Sequence, residues 1–247
     1  MTHVLGNHSV LSAARRMLHL VRSFGVGKAL SVGVATFDDQ WLKLFDRQYG
    51  VRTSGYISLA STSIDRAKLR DATSYGAVNA WAFRWLLKTL QLPRSSRFVD
   101  LGCGLGRACI LAAEYGFERV TGVELAPELC ATARENIATC RSRTFTPSSV
   151  SIVNGDVLDY CENTDDDVFF IYRAFSLSLF VTVIKELTER AALRSKPITI
   201  IYTERLYAGE SNCAKVLGMN SALHRQFIGD RFGQAFFVYQ CPGRGQL

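Results

Sequence analysis

The sequence predicts an α/β fold: a doubly wound, mostly parallel sheet ending in an antiparallel strand pair, preceded by a helical segment. Three observations carry this. Strand-like and helix-like patterns alternate through five strands from residue 97 onward, a glycine-rich run joins the first of those strands to the next helix, and the last two strand-like segments have no helix between them. With 247 residues, 48% of them hydrophobic, the chain can bury one substantial core but not two.

Residues 1–70 form the first unit, basic and aromatic-rich, and regular alternation begins after it in residues 71–247. Between Val10 and Phe24, Leu11, Leu18, Val21 and Phe24 are apolar while Arg15, Arg16 and Arg22 lie elsewhere, as in an amphipathic helix. No acid precedes Asp38, a trait shared with transit peptides. The dense aromatic set Phe37, Trp41, Phe45, Tyr49 and Tyr56 instead favours a folded helical lid over a removable leader. A helix is expected from Tyr75 to Leu90, with Trp81, Trp85 and Leu86 among its apolar positions and Pro93 beyond its end. Arg97–Leu101 reads as a strand and Arg107–Tyr115 as a helix closed by Gly116. A strand ending at Glu124, a helix opened by Pro127 and a strand from Val150 to Val153 continue the pattern. Val168–Tyr172 is a continuous apolar run, as in a strand covered on both faces, and Leu177, Phe180, Val181, Ile184 and Leu187 make a helical stripe after it. Ile198–Thr203 is the fifth strand, and Leu223–Ile228 and Ala235–Tyr239 form the antiparallel pair across Gly-Asp-Arg-Phe-Gly.

Composition excludes several functions. No apolar run reaches the roughly 18 residues that span a bilayer, and no signal-like segment is present, so a cytoplasmic chain with no membrane partner is expected. The seven cysteines are odd in number and scattered, and the four histidines are dispersed, so neither disulfides nor a metal site is expected. Cys109 falls on an apolar helix face and reads as a small buried hydrophobe. Residues 1–70 hold ten basic against four acidic residues, six of the seven net positive charges, yet do not show the pattern of interleaved aromatic and basic residues of an RNA-binding surface. The expected partner is therefore a small molecule or a protein side chain.

Chemistry concentrates at Asp100-Leu101-Gly102-Cys103-Gly104-Leu105-Gly106-Arg107. Three alternate glycines between a strand and a helix let a ligand approach bare backbone at the carboxyl end of the first strand. A dinucleotide fingerprint would place the third glycine one residue later. The preceding Asp100 would repel a pyrophosphate, whereas it suits a ligand carrying an ammonium and a sulfonium. Glu124, ending the second strand, can accept hydrogen bonds from both ribose hydroxyls, or can simply complement a helix dipole. After the third strand, Asp156 can accept from an adenine amino group while Val157 offers its backbone N–H; a plain turn aspartate is the alternative.

Through VDLGCGLGR (99–107), GVELAP (122–127) and NGDVLDY (154–160), the chain resembles the class I S-adenosylmethionine (SAM)-dependent methyltransferases. The resemblance covers roughly residues 75–240. It implies a Rossmann-like, seven-stranded mixed sheet and SAM held by Gly102, Gly104, Gly106, Glu124 and Asp156, with Arg107 and Leu125 in the same motifs counted among the cofactor-binding residues. Ser74-Tyr75-Gly76, the GVELA stretch and Tyr172-Arg173-Ala174-Phe175 are also similar to histone-lysine methyltransferases of the Dot1 type, which implies Tyr75 near the methionine end of SAM.

The same resemblance marks a departure. Amino-methylating relatives carry Asn or Asp followed by Pro-Pro-Tyr or Pro-Phe after the fourth strand, where this chain has Tyr172-Arg173-Ala174-Phe175-Ser176. Tyr172, Arg173, Phe175 and Tyr75 are thus the candidate catalytic set, and an aromatic mouth of Tyr172 and Phe175, extended by Tyr202, Trp41 and Tyr49, could stabilise a sulfonium by about 0.5–2 kcal/mol per ring. Phe169 and Phe170 are expected in the core. Three readings remain open at this point: methyl transfer to an amine, hydroxyl or carboxylate; cyclisation of SAM itself, as in azetidine-2-carboxylate synthases; and a catalytically silent SAM-binding module.

Overall fold

The computed structural model describes residues 42–142, 144, 149–205 and 211–245. The expected helix at Val10–Phe24, the leader alternative and Trp41 lie outside the described residues. The chain runs α1 (42–49), then β1 (Tyr56–Ile57), a short 3₁₀ turn (Leu59–Ser61), α2 (Arg66–Leu69), β2 (Tyr75–Gly76), α3 (Ala80–Leu90), β3 (Arg97–Leu101), α4 (Arg107–Tyr115), β4 (Arg119–Glu124), α5 (Pro127–Thr139), β5 (Val150–Asn154), α6 (Val157–Asn163), β6 (Val168–Tyr172), α7 (Leu177–Leu193), β7 (Ile198–Arg205), α8 (Asn212–Met219), β8 (His224–Arg231) and β9 (Gln234–Cys241).

Seven strands form one mixed sheet in the order β5-β4-β3-β6-β7-β9-β8. The five from β5 to β7 are parallel, and β9 is antiparallel to both β7 and β8. The chain winds outward from β3 to β5 and then returns to place β6 on the other side of β3. That reversal opens a crevice beyond the carboxyl ends of β3 and β6, the usual ligand position in a doubly wound sheet.

Each sheet face buries its own core. On one, Phe98 and Phe170 pack with Phe83 of α3, the Phe83 and Phe170 rings edge-on at 4.8 Å. On the other, Val99, Phe169 and Ile171 meet Phe180, Ile184 and Leu187 of α7. The period-2 alternation of Phe98, Val99 and of Phe169, Phe170 sends neighbours to opposite faces, and each such side chain contributes roughly 1.5–3 kcal/mol by leaving water. This double burial fixes the strand ends on which the site is built.

The structure corrects some element boundaries. The helix expected from Tyr75 begins at Ala80, because the Asn79 side chain accepts from Trp81 N and Ala82 N at 3.0 and 3.1 Å. Tyr75 and Gly76 instead pair with Ile57 and Tyr56, so β1 and β2 join across position 70. The terminal hairpin turns through Phe232 and Gly233 alone, both with positive φ (49° and 75°), so its strands are longer than the alternation suggested. Helices α6 and α8 were not expected; each starts at a side-chain cap, Asp156 on Leu158 N and Ser211 on Ala214 N.

Candidate functional site

The cleft lies where β3, β4 and β6 end. Its wall includes Asp100, Gly102, Gly104, Arg107, Glu124, Leu125, Asp156 and Val157 from the sheet side, and Tyr75, Tyr172 and Phe175 from the opposite side. Gly102 N and Cys103 N both donate to Val123 O, at 2.9 and 3.0 Å, which bends the chain sharply after β3. At Gly102 and Gly104 φ is +82° and +52°, and a Cβ would fall 2.4 Å from the Ala174 Cβ and 2.0 Å from the Tyr75 ring respectively. Glycine is required at both positions by backbone conformation and by the close approach of the opposite wall.

Three acids line this turn in different states. Asp100 is only 3% exposed, and burial, reinforced by the Glu124 charge, pushes its carboxyl up to about 8. Its neighbour is the Cys109 thiol at 3.9 Å; among the described residues no lysine or arginine pairs with it. Glu124 accepts from Gly104 N through Oε2 and from Ala126 N through Oε1, both at 2.9 Å, so it clamps the turn and caps α5 together. Burial raises its carboxyl despite those bonds. Each oxygen keeps a lone pair for a further donor. Asp156 accepts from Leu158 N at 3.0 Å and pairs with Lys68 Nζ at 2.7 Å. Burial works to raise its carboxyl, but Lys68 and the helix N–H outweigh that and hold it below the usual range.

Tyr75 donates from its hydroxyl to Thr53 O at 2.6 Å, and burial lifts its phenol far above the ordinary value. It therefore stays protonated and cannot act as a base near neutrality. Half-buried Tyr172 accepts from Arg205 Nε at 3.4 Å. Phe175 is half-buried and lies near Gly102, and Arg173 is exposed with φ 45°. The loop carrying these residues is stitched to the chain before α3. Thr73 N donates to Ala174 O at 3.1 Å, the Thr73 hydroxyl to Arg173 O, and Ser176 Oγ to Asp71 Oδ1 at 2.6 Å. Residues 71–76 thus form a strap over the cleft.

Arg107 lines the cleft, and its guanidinium is tied to the preceding segment: its Nε donates to Thr53 Oγ1 at 2.7 Å, and its terminal nitrogens to Val78 O, Leu42 O and Asp46 Oδ1 at 3.1–3.3 Å. A buried guanidinium needs many acceptors, and these carbonyls with Asp46 supply them. Tyr202 faces α7 and α8 in the core, its hydroxyl between Glu204 and Ser211. Tyr49 stacks on Phe45 at 4.4 Å and accepts from Arg84, away from the cleft. Sequence reasoning missed Lys68 and Arg205. The first gives no local signal, but the second ends a parallel strand, where crevice-lining residues are expected.

Among the described residues no group of acids, cysteines and histidines is arranged to hold a metal ion, and no helix is long and apolar enough to cross a membrane. The seven cysteines are free, with Cys109 buried in the core.

A glycine turn after β3, an acid ending β4 and an antiparallel β7-β9-β8 edge define the architecture of the class I methyltransferases. Residues 98–196 match the family model of a methyltransferase domain. YqeM of Bacillus subtilis, described as a methyltransferase, is 24% identical over 183 residues, which cover 65% of this chain and 72% of that protein. Two solved structures share the fold: a methyltransferase from Pseudomonas syringae (TM-score 0.51, 12% identity, 64% of this chain and 96% of that one) and the methyltransferase yhhF from Escherichia coli (TM-score 0.50, 15% identity, 65% and 83%). The match over residues 98–196, the relative and the shared fold together support a class I SAM-dependent methyltransferase domain, and SAM is the cofactor of that class. The donor set fits it: a buried carboxylate without a cationic partner suits the positive amino-acid end, and Glu124 retains acceptor capacity for a ribose.

Proposed function

We propose that the protein transfers the methyl group of SAM to a hydroxyl or carboxylate of a small molecule or protein side chain. The observation that carries this is the clustering of Asp100, the bare turn at Gly102 and Gly104, and Glu124 along one cleft wall. Asp100 would hold the ammonium end, Glu124 the ribose hydroxyls, Asp156 and the Val157 N–H the adenine edge, with Leu125 packed beside it. Bound SAM supplies an electrophilic methyl carbon on a sulfonium. What remains for the chain is to orient an acceptor, exclude water and avoid quenching the positive charge. The rings of Tyr75, Tyr172 and Phe175 line the cleft opposite the turn, where they can face that charge, and the 71–76 strap covers it.

An amine acceptor is disfavoured by one feature. The loop where amino-methylating relatives grip the amine reads Tyr172-Arg173-Ala174-Phe175-Ser176 here and carries no acid or amide side chain to hold one. The same feature favours a second reading, in which the amine of SAM attacks its own chain and methylthioadenosine leaves. Incubation of the purified protein with SAM alone decides between them. Methyl transfer requires adenosylhomocysteine only after an acceptor is added; methylthioadenosine without acceptor would replace it with the cyclase.

A further inference from the structure

Beyond Tyr75 and Tyr172 a second cavity adjoins the cofactor cleft. It shares Thr73, Ser74, Tyr75, Gly76 and Tyr172 with that cleft and adds Tyr56, Arg173 and Arg205. The two tyrosines are thus a common wall, and any molecule in the outer cavity meets the cofactor cleft through them. Among the described residues its charged lining is two arginines and no acid.

Both cations are held by the fold. Arg173 sits in the left-handed region, rarely adopted outside glycine, asparagine and aspartate, and its carbonyl is fixed by the Thr73 hydroxyl. Backbone geometry therefore sets the direction in which its side chain leaves the chain, and among the described residues no carboxylate lies in ion-pair distance of it. Arg205 ends β7, paired in register with Gln234, and donates through Nε to Tyr172 Oη. Tyr56, 75% exposed, marks the open side. Two guanidinium groups and three tyrosines lining one cavity are suited to a flat molecule with an anionic oxygen group, since each fork matches two oxygens of a carboxylate or phosphate.

We infer that this outer cavity is an acceptor subsite for a small aromatic molecule bearing a carboxylate or phosphate, which Arg173 and Arg205 clamp while its opposite end faces Tyr75 and Tyr172. The inference rests on the methyl-transfer reading, but the subsite itself binds without cofactor, so the two are tested apart. Benzoate, phenyl phosphate and the neutral benzamide serve as probes, with binding followed by tyrosine fluorescence and adenosylhomocysteine affinity measured separately by calorimetry. At least one anion should bind fivefold or more tighter than benzamide; preference between benzoate and phenyl phosphate identifies the anionic group. Arg173→Gln and Arg205→Gln should each weaken the preferred anion about fivefold or more while leaving adenosylhomocysteine affinity within twofold. Because Arg173 is exposed, its variant carries the test should Arg205→Gln unfold, as judged by circular dichroism. Equal binding of benzamide and both anions, or undiminished anion binding in folded Arg173→Gln, would overturn the subsite. Absence of adenosylhomocysteine binding would instead remove the methyl-transfer reading and leave the anion result standing.

Discussion

The ring of Tyr75 occupies the space that a side chain on Gly104 would need: a Cβ there would lie 2.0 Å from Tyr75 Cδ2. Tyr75 is also tied through its hydroxyl to Thr53 O, so the glycine turn, the strap and the segment before it form one packed unit. Gly104→Ala must therefore displace the ring, besides costing about 1–2 kcal/mol for a left-handed non-glycine residue. We expect a loss of SAM affinity of at least tenfold by calorimetry. Tyr75→Ala added to Gly104→Ala should cost less than the two changes separately, because the clash is then relieved. Strict additivity would show that the two residues do not share that space.

Glu124 performs two tasks with one carboxylate, since each oxygen already holds a backbone N–H, Gly104 or Ala126. Glu124→Ala leaves both donors unsatisfied and removes the proposed ribose acceptor. Stability should fall by about 1–3 kcal/mol. Affinity for adenosylhomocysteine should fall roughly 10- to 100-fold, as a charge-assisted hydrogen bond of about 1.5–3 kcal/mol requires. Normal affinity in a folded Glu124→Ala protein would reject the ribose assignment and leave the residue a clamp for the turn.

Much of this was legible in the sequence because it is local. β3, α4, the end of β4, the start of α5 and β6 fall where apolar runs meet Gly106, Gly116 and Pro127, and those residues act through backbone conformation alone. The cleft acids followed, since strand ends fix their positions. What the sequence left unseen depends on distant partners. The guanidinium of Arg107 is placed by Asp46, 61 positions earlier, and the tie between Lys68 and Asp156 spans 88. Short α6 and α8 have too few turns for a periodic signal and depend on capping and tertiary packing. Tyr202 could have been placed: by strand alternation it shares a face with Ile198 and Ile200, which the structure buries against α7 and α8, not with the cleft.

Arg107 anchors the segment before the strap. It is 2% exposed, and its guanidinium pairs with Asp46 at 3.1 Å, bonds Thr53, and lies 4.7 Å from the centre of the Phe45 ring. Arg107→Met should destabilise the protein by about 3–5 kcal/mol, because Asp46 loses the cation that balances it. Arg107→Lys should recover only part of this, as an ammonium cannot reach Thr53, Val78, Leu42 and Asp46 together. Asp46→Asn in the Arg107→Met background should restore some stability in thermal unfolding; no recovery would mean that the pair contributes little and packing dominates.

Asp100 gives the ligand-free protein an unusual pH dependence. Its carboxyl is raised from 3.8 to about 8, so between those values the folded state retains a proton that the unfolded chain has lost. Its contribution to stability is therefore fully present below about pH 4 and is lost as pH rises towards 8, the reverse of a salt-bridged aspartate. Asp100→Asn should flatten that slope and make the ligand-free protein more stable at pH 8. A positively charged ligand inverts the preference, since it favours the ionised carboxylate. Adenosylhomocysteine affinity should thus rise with pH between about 6 and 7.5, where the amino-acid ammonium of the ligand stays protonated while Asp100 does not yet ionise unaided. Binding there should release a fraction of a proton, read by calorimetry in buffers of different protonation enthalpy, and Asp100→Asn should abolish both effects. Affinity that is flat or falls over this range, with no proton released, would place the ammonium of the ligand away from Asp100.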